Sequence, residues 1–514
     1  VGSHYRLPPG AADLTVGGPG IARLRHAVVK GVDAPVRCAL LVEAPDGLGY
    51  GQAEPVLANW RRRPLGDGRW ELTYAIGAPG LGWLVAWVLK RLVGGRGRLL
   101  RALLPPGIFP PGALRTVAAV FWASAVVAYC GTLLGQTLAF AAPTLHASPF
   151  AQGLGSSLVR VDVLAAFPLA RLADRVGRWQ VLRLALVVAV MATALGGLAP
   201  SFDVLVATQI LARAGATTAV LLANVIVAEV VHAQGRAWTM GFLVLATAAG
   251  AAVCAVAVAG LGVAPQAWRL LFLLAIVGLA LLGTLRGLAE PARFIAAGTL
   301  RLRELLAPEH RGRLVLVSVA AILFNLFALP ASQFRNQFLR VDRHFAAWQI
   351  SLFTVGANLP SGIGLAAGSR LAETRGRRLL ASVGLAGGAV LLAGAYLSSG
   401  AVLVVLYALG EAVGTMAVPA LAVFGPELFP TRLRSGANGV VAVASRVGTI
   451  VGLLAVGTAA SEGFGYGRPI AALAIAPLLL ALLVWWRFPE TRARSLEDLN
   501  PEDRPPLAAS GHGE

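Results

Sequence analysis

The sequence predicts an all-α membrane protein: twelve transmembrane helices in two related six-helix bundles, preceded by a small N-terminal extension. Three observations predict it: a composition too apolar for water, twelve apolar runs of spanning length, and a charged decapeptide that occurs twice. Of 514 residues, 57% are hydrophobic and 13% charged, and the mean hydropathy is +0.71. Soluble domains carry about 25% charged residues, so this chain lacks the polar surface to face water all round.

A helix needs about 20 apolar residues to cross the hydrocarbon core. Twelve such runs lie near 117–143, 151–172, 179–199, 204–229, 237–262, 267–288, 314–338, 347–369, 379–397, 401–425, 436–459 and 469–486. The gaps between them are asymmetric in charge. Arg171, Arg175 and Arg178 follow the second run, Arg236 the fourth, and Arg293, Arg301, Arg303, Arg311 and Arg313 fill the long gap after the sixth. Arg370, Arg375, Arg377 and Arg378 follow the eighth, and Arg432 and Arg434 the tenth, whereas 196–203 and 396–400 hold no Arg or Lys. Arginine concentrates on the cytoplasmic side of membrane proteins, which places both termini in the cytoplasm of an inner-membrane protein. Arg335, Arg340 and Arg343, at and after the end of the seventh run, break this pattern.

The net charge of +19 follows from these loops, so no nucleic-acid partner is expected. Cys38, Cys130 and Cys254 form no pair with ligand spacing, which predicts neither a disulfide framework nor a metal site. No N-terminal secretory leader is expected, since the first long apolar run begins near Val117. Residues 1–114 read as a cytoplasmic extension, either a small β-containing unit or a disordered segment. They hold two strand-like phrases, 36–44 and 69–76, with Asp-Gly turn signals at 46–47 and 67–68. The remaining boundaries are 115–288 for the first bundle, 289–313 for a cytoplasmic loop, 314–488 for the second bundle and 489–514 for a cytoplasmic tail.

The decapeptide reads ARLADRVGRW at 170–179 and SRLAETRGRR at 369–378, 199 positions apart. Arg171, Ala173, Gly177 and Arg178 align with Arg370, Ala372, Gly376 and Arg377, with Asp174 opposite Glu373. At an offset of 198, AEVVHAQGR (228–236) aligns with PELFPTRLR (426–434), setting Glu229 on Glu427 and Arg236 on Arg434. Two related halves joined by a charged loop indicate a duplicated membrane architecture.

With these phrases the sequence resembles the major facilitator superfamily over about 115–500, the stretch that holds its spanning runs. RLADRVGR resembles the family's loop between its second and third helices, and RLAETRGR the weaker copy between the eighth and ninth. EPARF (290–294), PELFPTRLRSGANG (426–439) and PETRARSLEDL (489–499) resemble the sugar-porter-like branch, which includes metabolite–proton symporters. The resemblance implies a secondary transporter working by alternating access. It also implies a gate network of Asp174, Arg175, Gly177 and Arg178 with partners Glu229, Glu427 and Arg434, mirrored by Glu373, Gly376 and Arg377. The sequence departs from the family at Ala170 and Ser369, where glycine is frequent. It also lacks the paired glutamines of sugar porters.

Ionisable groups inside spanning helices are functional candidates by default. Here they are Arg160 and Asp162 in the second run, Arg213 in the fourth, Glu411 in the tenth and Arg446 in the eleventh, with Gln209 and Tyr407 as polar neighbours. Asp162 lies about 18 Å along a helix from Asp174, near mid-membrane, and suits a group that loads and releases protons. Arg213 and Glu411 are 198 positions apart, the offset of the second repeat, and are expected to face each other and compensate. Arg446 suits a bidentate grip on a carboxylate.

The expected partners are a small-molecule substrate, plausible as an organic anion, protons or another coupling ion, and the lipid bilayer. No cofactor is expected. The alternatives are drug or metabolite efflux and, from another class, a transporter-like sensor or membrane-embedded enzyme. The sequence shows no nucleophile elbow, metal-ligand cluster or P-loop, which argues against an enzyme and against ATP-driven transport.

Overall fold

The computed structural model describes residues 113–490 apart from 163–167, 170–171, 174–175, 231–232, 286–301 and 431–432, together with five backbone strands before residue 77. The strands are β1 (His4–Tyr5), β2 (Ala22–Gly31), β3 (Val36–Glu43), β4 (Trp60–Gly66) and β5 (Arg69–Ile76). They form one antiparallel sheet in the order β1-β2-β3-β5-β4. The two strand-like phrases are β3 and β5, paired with Val36 opposite Ile76 and Glu43 opposite Arg69. Pro64 lies on β4, an edge strand, where a missing N–H is tolerated, and the register shifts beside it.

The helices fall on the predicted runs. The first half holds α1 (Ala113–Thr144), α2 (Pro149–Leu158), α3 (Arg178–Gly196), α4 (Phe202–Val230), α5 (Ala233–Ala257) and α6 (Ala267–Leu274). A 3-10 turn, Val159–Val161, continues α2, and a 3-10 helix, Ala275–Leu285, continues α6. The second half holds α7 (Pro308–Gln337), α8 (Ala347–Arg375), α9 (Arg377–Leu397), α10 (Gly400–Thr415), α11 (Arg434–Ser461) and α12 (Gly467–Leu473). A π turn (Phe338–Asp342) ends α7, while Ala417–Glu427 prolongs α10 and Ile475–Arg487 prolongs α12. Among the described residues, 10 helices are long and apolar enough to cross a bilayer. The α2 run continues into undescribed residues, and α6 is a shorter apolar helix, Ala267–Ala280.

Local chemistry sets the helix ends. Ser148 caps α2, its hydroxyl accepting from the Ala151 N–H, and Pro149 sits in the first turn where its missing N–H costs nothing. The glycine in each decapeptide copy has a positive φ, +118° at Gly177 and +105° at Gly376, and each immediately precedes a helix, α3 and α9. A side chain with a Cβ is strained in that conformation, which explains why both copies keep glycine.

The duplication is also visible in packing. A Cβ on Gly250 in α5 would collide with the Ala125 carbonyl of α1, and one on Gly448 in α11 with the Ile322 carbonyl of α7. Gly250 and Gly448 stand at the 198-residue offset, so each half uses one glycine to bring equivalent helices into backbone contact. Small residues permit such close approach where lipid removes the hydrophobic drive between helices. Large apolar side chains such as Leu359, Ile363 and Val244 stay exposed, as a surface against lipid requires.

Gly250→Ala and Gly448→Ala should each destabilise the protein by about 1–3 kcal/mol through overpacking. Gly241→Ala, which meets nothing within 4 Å, should not. Thermal unfolding in detergent checks this; equal midpoints for all three variants would remove the close-contact role.

Candidate functional site: a charge cluster on the seam between the halves

Asp162 follows the 3-10 turn that ends the described part of α2, with its side chain wholly buried. Three groups converge on it. Arg213 of α4 places Nε 3.5 Å from Oδ2, Arg446 of α11 places Nη2 3.5 Å from Oδ1, and the Thr217 hydroxyl of α4 donates to Oδ2. Arg213 also donates to the Gly131 carbonyl of α1. Arg160 of the same 3-10 turn adds a third guanidinium, donating through Nη2 to Gln333 Oε1 of α7 at 3.0 Å. A buried carboxylate survives only when paired and hydrogen-bonded, and this one has two cations and a hydroxyl. Arginine keeps its proton in proteins, so three positive charges surround one negative charge.

A second cluster lies within the second half. Glu411 of α10 faces Arg335 of α7, with Tyr407 and Ser361 in hydrogen-bonding reach. Arg335 Nη1 lies 3.5 Å from the Tyr407 hydroxyl oxygen. Tyr396 of α9 donates its hydroxyl to the Ala331 carbonyl at 2.6 Å and stacks edgewise on Tyr407. This corrects the expected Arg213–Glu411 pair: Arg213 is paired with Asp162, and Glu411 has Arg335. Equivalent positions in a duplicated chain occupy equivalent places, and each charge here finds its counterion on a different neighbouring helix.

The arginines that broke the loop-charge pattern are also placed. Arg335 lies in the last turn of α7, inside the predicted run, and the π turn continues past the predicted end, so Arg340 too is helical rather than in a loop. Arg340 lies over the Phe140 ring at 4.2 Å. Arg343 donates to the Ser398 and Tyr396 carbonyls, where α9 ends, at 2.8 and 3.4 Å. These cations are consumed by carbonyls, a ring and a phenol. They are not a free basic loop.

Among the described residues, hydrogen bonds between the halves gather toward the face opposite the basic loops. Asn336 Nδ2 of α7 donates to the Gln136 carbonyl and Oε1 of α1 at 2.9 and 3.0 Å. Ser157 of α2 donates to the Ile450 carbonyl of α11, and Ser351 of α8 to the Ala255 carbonyl of α5. Gly153 of α2 and Gly457 of α11 approach so closely that neither has room for a Cβ. On the basic-face side of Arg446, a cavity of about 460 Å³ opens among α7, α10 and α11, lined by Val317, Phe324, Asn325, Leu421, Asn438 and Ser445.

Of the remaining expected residues, Gln209 is buried with its amide against Gly196 of α3, away from the Asp162 cluster. Asp174 and Arg175 lie outside the described residues, as do the side chains of Glu229, Glu373, Glu427 and Arg434. Gly177, Arg178, Gly376 and Arg377 are at the helix starts described above, with Arg178 buried. Sequence reasoning missed Glu490 as a partner of this loop. Its two carboxylate oxygens accept from the Arg377 and Arg378 N–H groups at 3.0 and 3.1 Å, which caps α9 where unpaired N–H groups favour an anion. The PETRARSLEDL phrase carried that signal. Thr217 was missed because a threonine in an apolar run has no distinguishing signal.

Asp162→Asn should destabilise the fold by about 3–5 kcal/mol, because Arg213 and Arg446 lose their buried counterion. Adding Arg213→Gln to that variant should recover part of the loss, since one orphan charge is removed. Denaturation of the single and double variants measures the coupling; strictly additive losses would mean that the residues do not interact.

Residues 314–511 match the Major Facilitator Superfamily profile. The chain is 39% identical over 82 residues to low affinity inorganic phosphate transporter 8 of Medicago truncatula, a stretch covering 15% of this chain and 14% of that relative. The fold is similar to a bacterial homologue of the human lysosomal transporter Spinster in an inward-facing, occupied conformation, with a TM-score of 0.63 at 17% identity over 76% of this chain and 98% of that one. It is also similar to the inward-open xylose transporter XylE from E. coli, with a TM-score of 0.60 at 17% identity over 76% and 98% of the two chains. The nucleoside transporter NupG aligns with a TM-score of 0.62 at 14% identity over 72% and 98%. The repeated loop, the twelve runs and the match over residues 314–511 all liken the chain to the major facilitator superfamily, and the fold of the described residues is similar to that of solved transporters.

Proposed function

We propose that this protein is a secondary transporter that carries a small anion, in the first place an organic carboxylate, across the inner membrane by alternating access. The observation that carries this reading is the charge balance around the buried Asp162: three half-buried guanidiniums against one carboxylate where the halves meet. A neutral substrate would leave that excess uncompensated, whereas a carboxylate or phosphate oxygen can form charge-assisted bonds to it. The phosphate-transporter relative, whose name specifies an anion, supports the same class. The arginine-rich face is the cytoplasmic one on the positive-inside pattern, and the seam described above then closes the outer side. The Asp174 loop and its copy at Glu373 serve as cytoplasmic latches in this reading, with Glu229, Glu427 and Arg434 as partners.

Proton coupling belongs to the same proposal, and Glu411 suits the carrier role better than Asp162. Asp162 is already engaged by two guanidiniums and a hydroxyl. Glu411 faces one guanidinium, with the Tyr407 hydroxyl in hydrogen-bonding reach.

Purified protein in vesicles should take up labelled benzoate or phosphate when a proton gradient is imposed, and should not take up xylose. Glu411→Gln should abolish gradient-driven uptake yet keep anion exchange at equal concentrations. Uptake of xylose without either anion would overturn the substrate class, and gradient-driven uptake by Glu411→Gln would move the proton to another group.

A further inference from the structure

Arg160 is a half-buried cation whose one hydrogen-bond acceptor among the described residues is neutral. Its natural counterion, Asp162, already serves Arg213, Arg446 and Thr217. What Arg160 holds instead is the amide oxygen of Gln333, at 3.0 Å and across the seam, since Arg160 belongs to the first half and Gln333 to the second. Gln333 is itself buried and lies against Gly135 of α1, where a Cβ would stand 2.9 Å from Oε1. The amide is therefore held tightly in front of the guanidinium.

We infer that Gln333 is an internal stand-in for the substrate: its amide oxygen occupies the place at Arg160 that an anionic oxygen of the substrate takes when the seam opens. The inference deepens the anion-transport reading and rests on it. Three points of chemistry lead here. A guanidinium presents five donors in a planar fork, and an amide oxygen meets that fork without neutralising its charge. An anionic oxygen adds a Coulomb attraction to the hydrogen bond that a neutral amide oxygen offers the guanidinium, so an anion outcompetes the amide once both can reach Arg160. The bond also spans the halves, so it must break whenever α7 moves away from α2. The other cross-half hydrogen bonds described above, Asn336–Gln136, Ser157–Ile450 and Ser351–Ala255, join neutral groups and respond to no substrate charge.

In this role Gln333 is a positioning residue. In the closed seam it satisfies Arg160 without the strength of an ion pair, so the outer side can reopen. A substrate is selected for presenting an oxygen acceptor toward α7, in addition to any group held by Arg213 and Arg446.

Substitutions of opposite chemistry should move the seam in opposite directions. A reporter cysteine replaces Ser351, which is buried in the separate α5–α8 part of the seam, in a background carrying Cys38→Ser, Cys130→Ala and Cys254→Ala. The full chain in vesicles is then labelled from outside with an impermeant maleimide. Gln333→Leu should speed labelling about tenfold, because the tether is lost, an effect of about 1.4 kcal/mol. Gln333→Glu supplies the anionic oxygen permanently and should slow labelling about tenfold. Arg160→Gln should speed labelling as much as Gln333→Leu, and the two together no further. Faster labelling in both Gln333 variants, unchanged rates in both, or additive effects in the double variant would each overturn the inference in favour of simple packing. No substrate is needed, so a failure here is distinct from a failure of wild-type vesicles to take up benzoate or phosphate. Gel-filtration profiles matching the parent exclude unfolding as the cause of faster labelling.

Discussion

The ion pairs of Asp162 with Arg213 and Arg446 are the constraint on which the rest of the structure depends. They bring α2 and α4 of the first half against α11 of the second. A carboxylate with no exposed side-chain surface is costly to desolvate, and its attraction to two guanidiniums compensates only while those helices stay together. The glycines along α2 and α11 meet this demand by removing side chains where the backbones cross. The same cluster leaves positive charge in excess, so in the proposed reading one set of residues holds the halves together and binds the substrate.

The polar contacts divide along the membrane normal. Toward the face opposite the basic loops, amides and hydroxyls stitch the halves together, while the cavity lies on the basic-face side of Arg446. Arg340 and Arg343 strengthen the stitched end by lying on Phe140 and on the terminal carbonyls of α9. Asp342 adds a cap there, accepting from the Tyr466 and Gly467 N–H groups where α12 begins. Among the described residues, the cross-half hydrogen bonds and this cavity, which lies within the second half, therefore stand toward opposite ends of the bundle.

Much of this architecture was legible in the sequence because its causes are local. Spanning helices announce themselves by length and apolarity, and the helix boundaries follow the predicted runs. The decapeptide glycines were legible because Gly177 and Gly376 each satisfy a backbone conformation that other residues resist. The site was legible as a set of residues but not as a set of partners. Asp162, Arg213 and Arg446 stood out as charges in apolar runs, yet no pattern in the chain says that α11 reaches α2. The repeat offset suggested that Arg213 faces Glu411, and this was wrong: duplication fixes equivalent places, whereas pairing depends on which neighbouring helix presents the opposite charge. Arg340 was read as loop charge because the apolar run ends near 338, before the π turn does. The π turn carries that helix further than hydropathy can report.

The central claim is that excess positive charge around the buried Asp162 selects an anion. Thermal unfolding of the purified protein against a ligand panel tests it most directly, since a compound that binds the folded state raises the midpoint in proportion to occupancy. The account predicts a concentration-dependent rise with benzoate or phosphate that disappears in Arg446→Gln, and no rise with xylose or uridine. A rise with xylose or uridine that survives Arg446→Gln, and none with either anion, would contradict it.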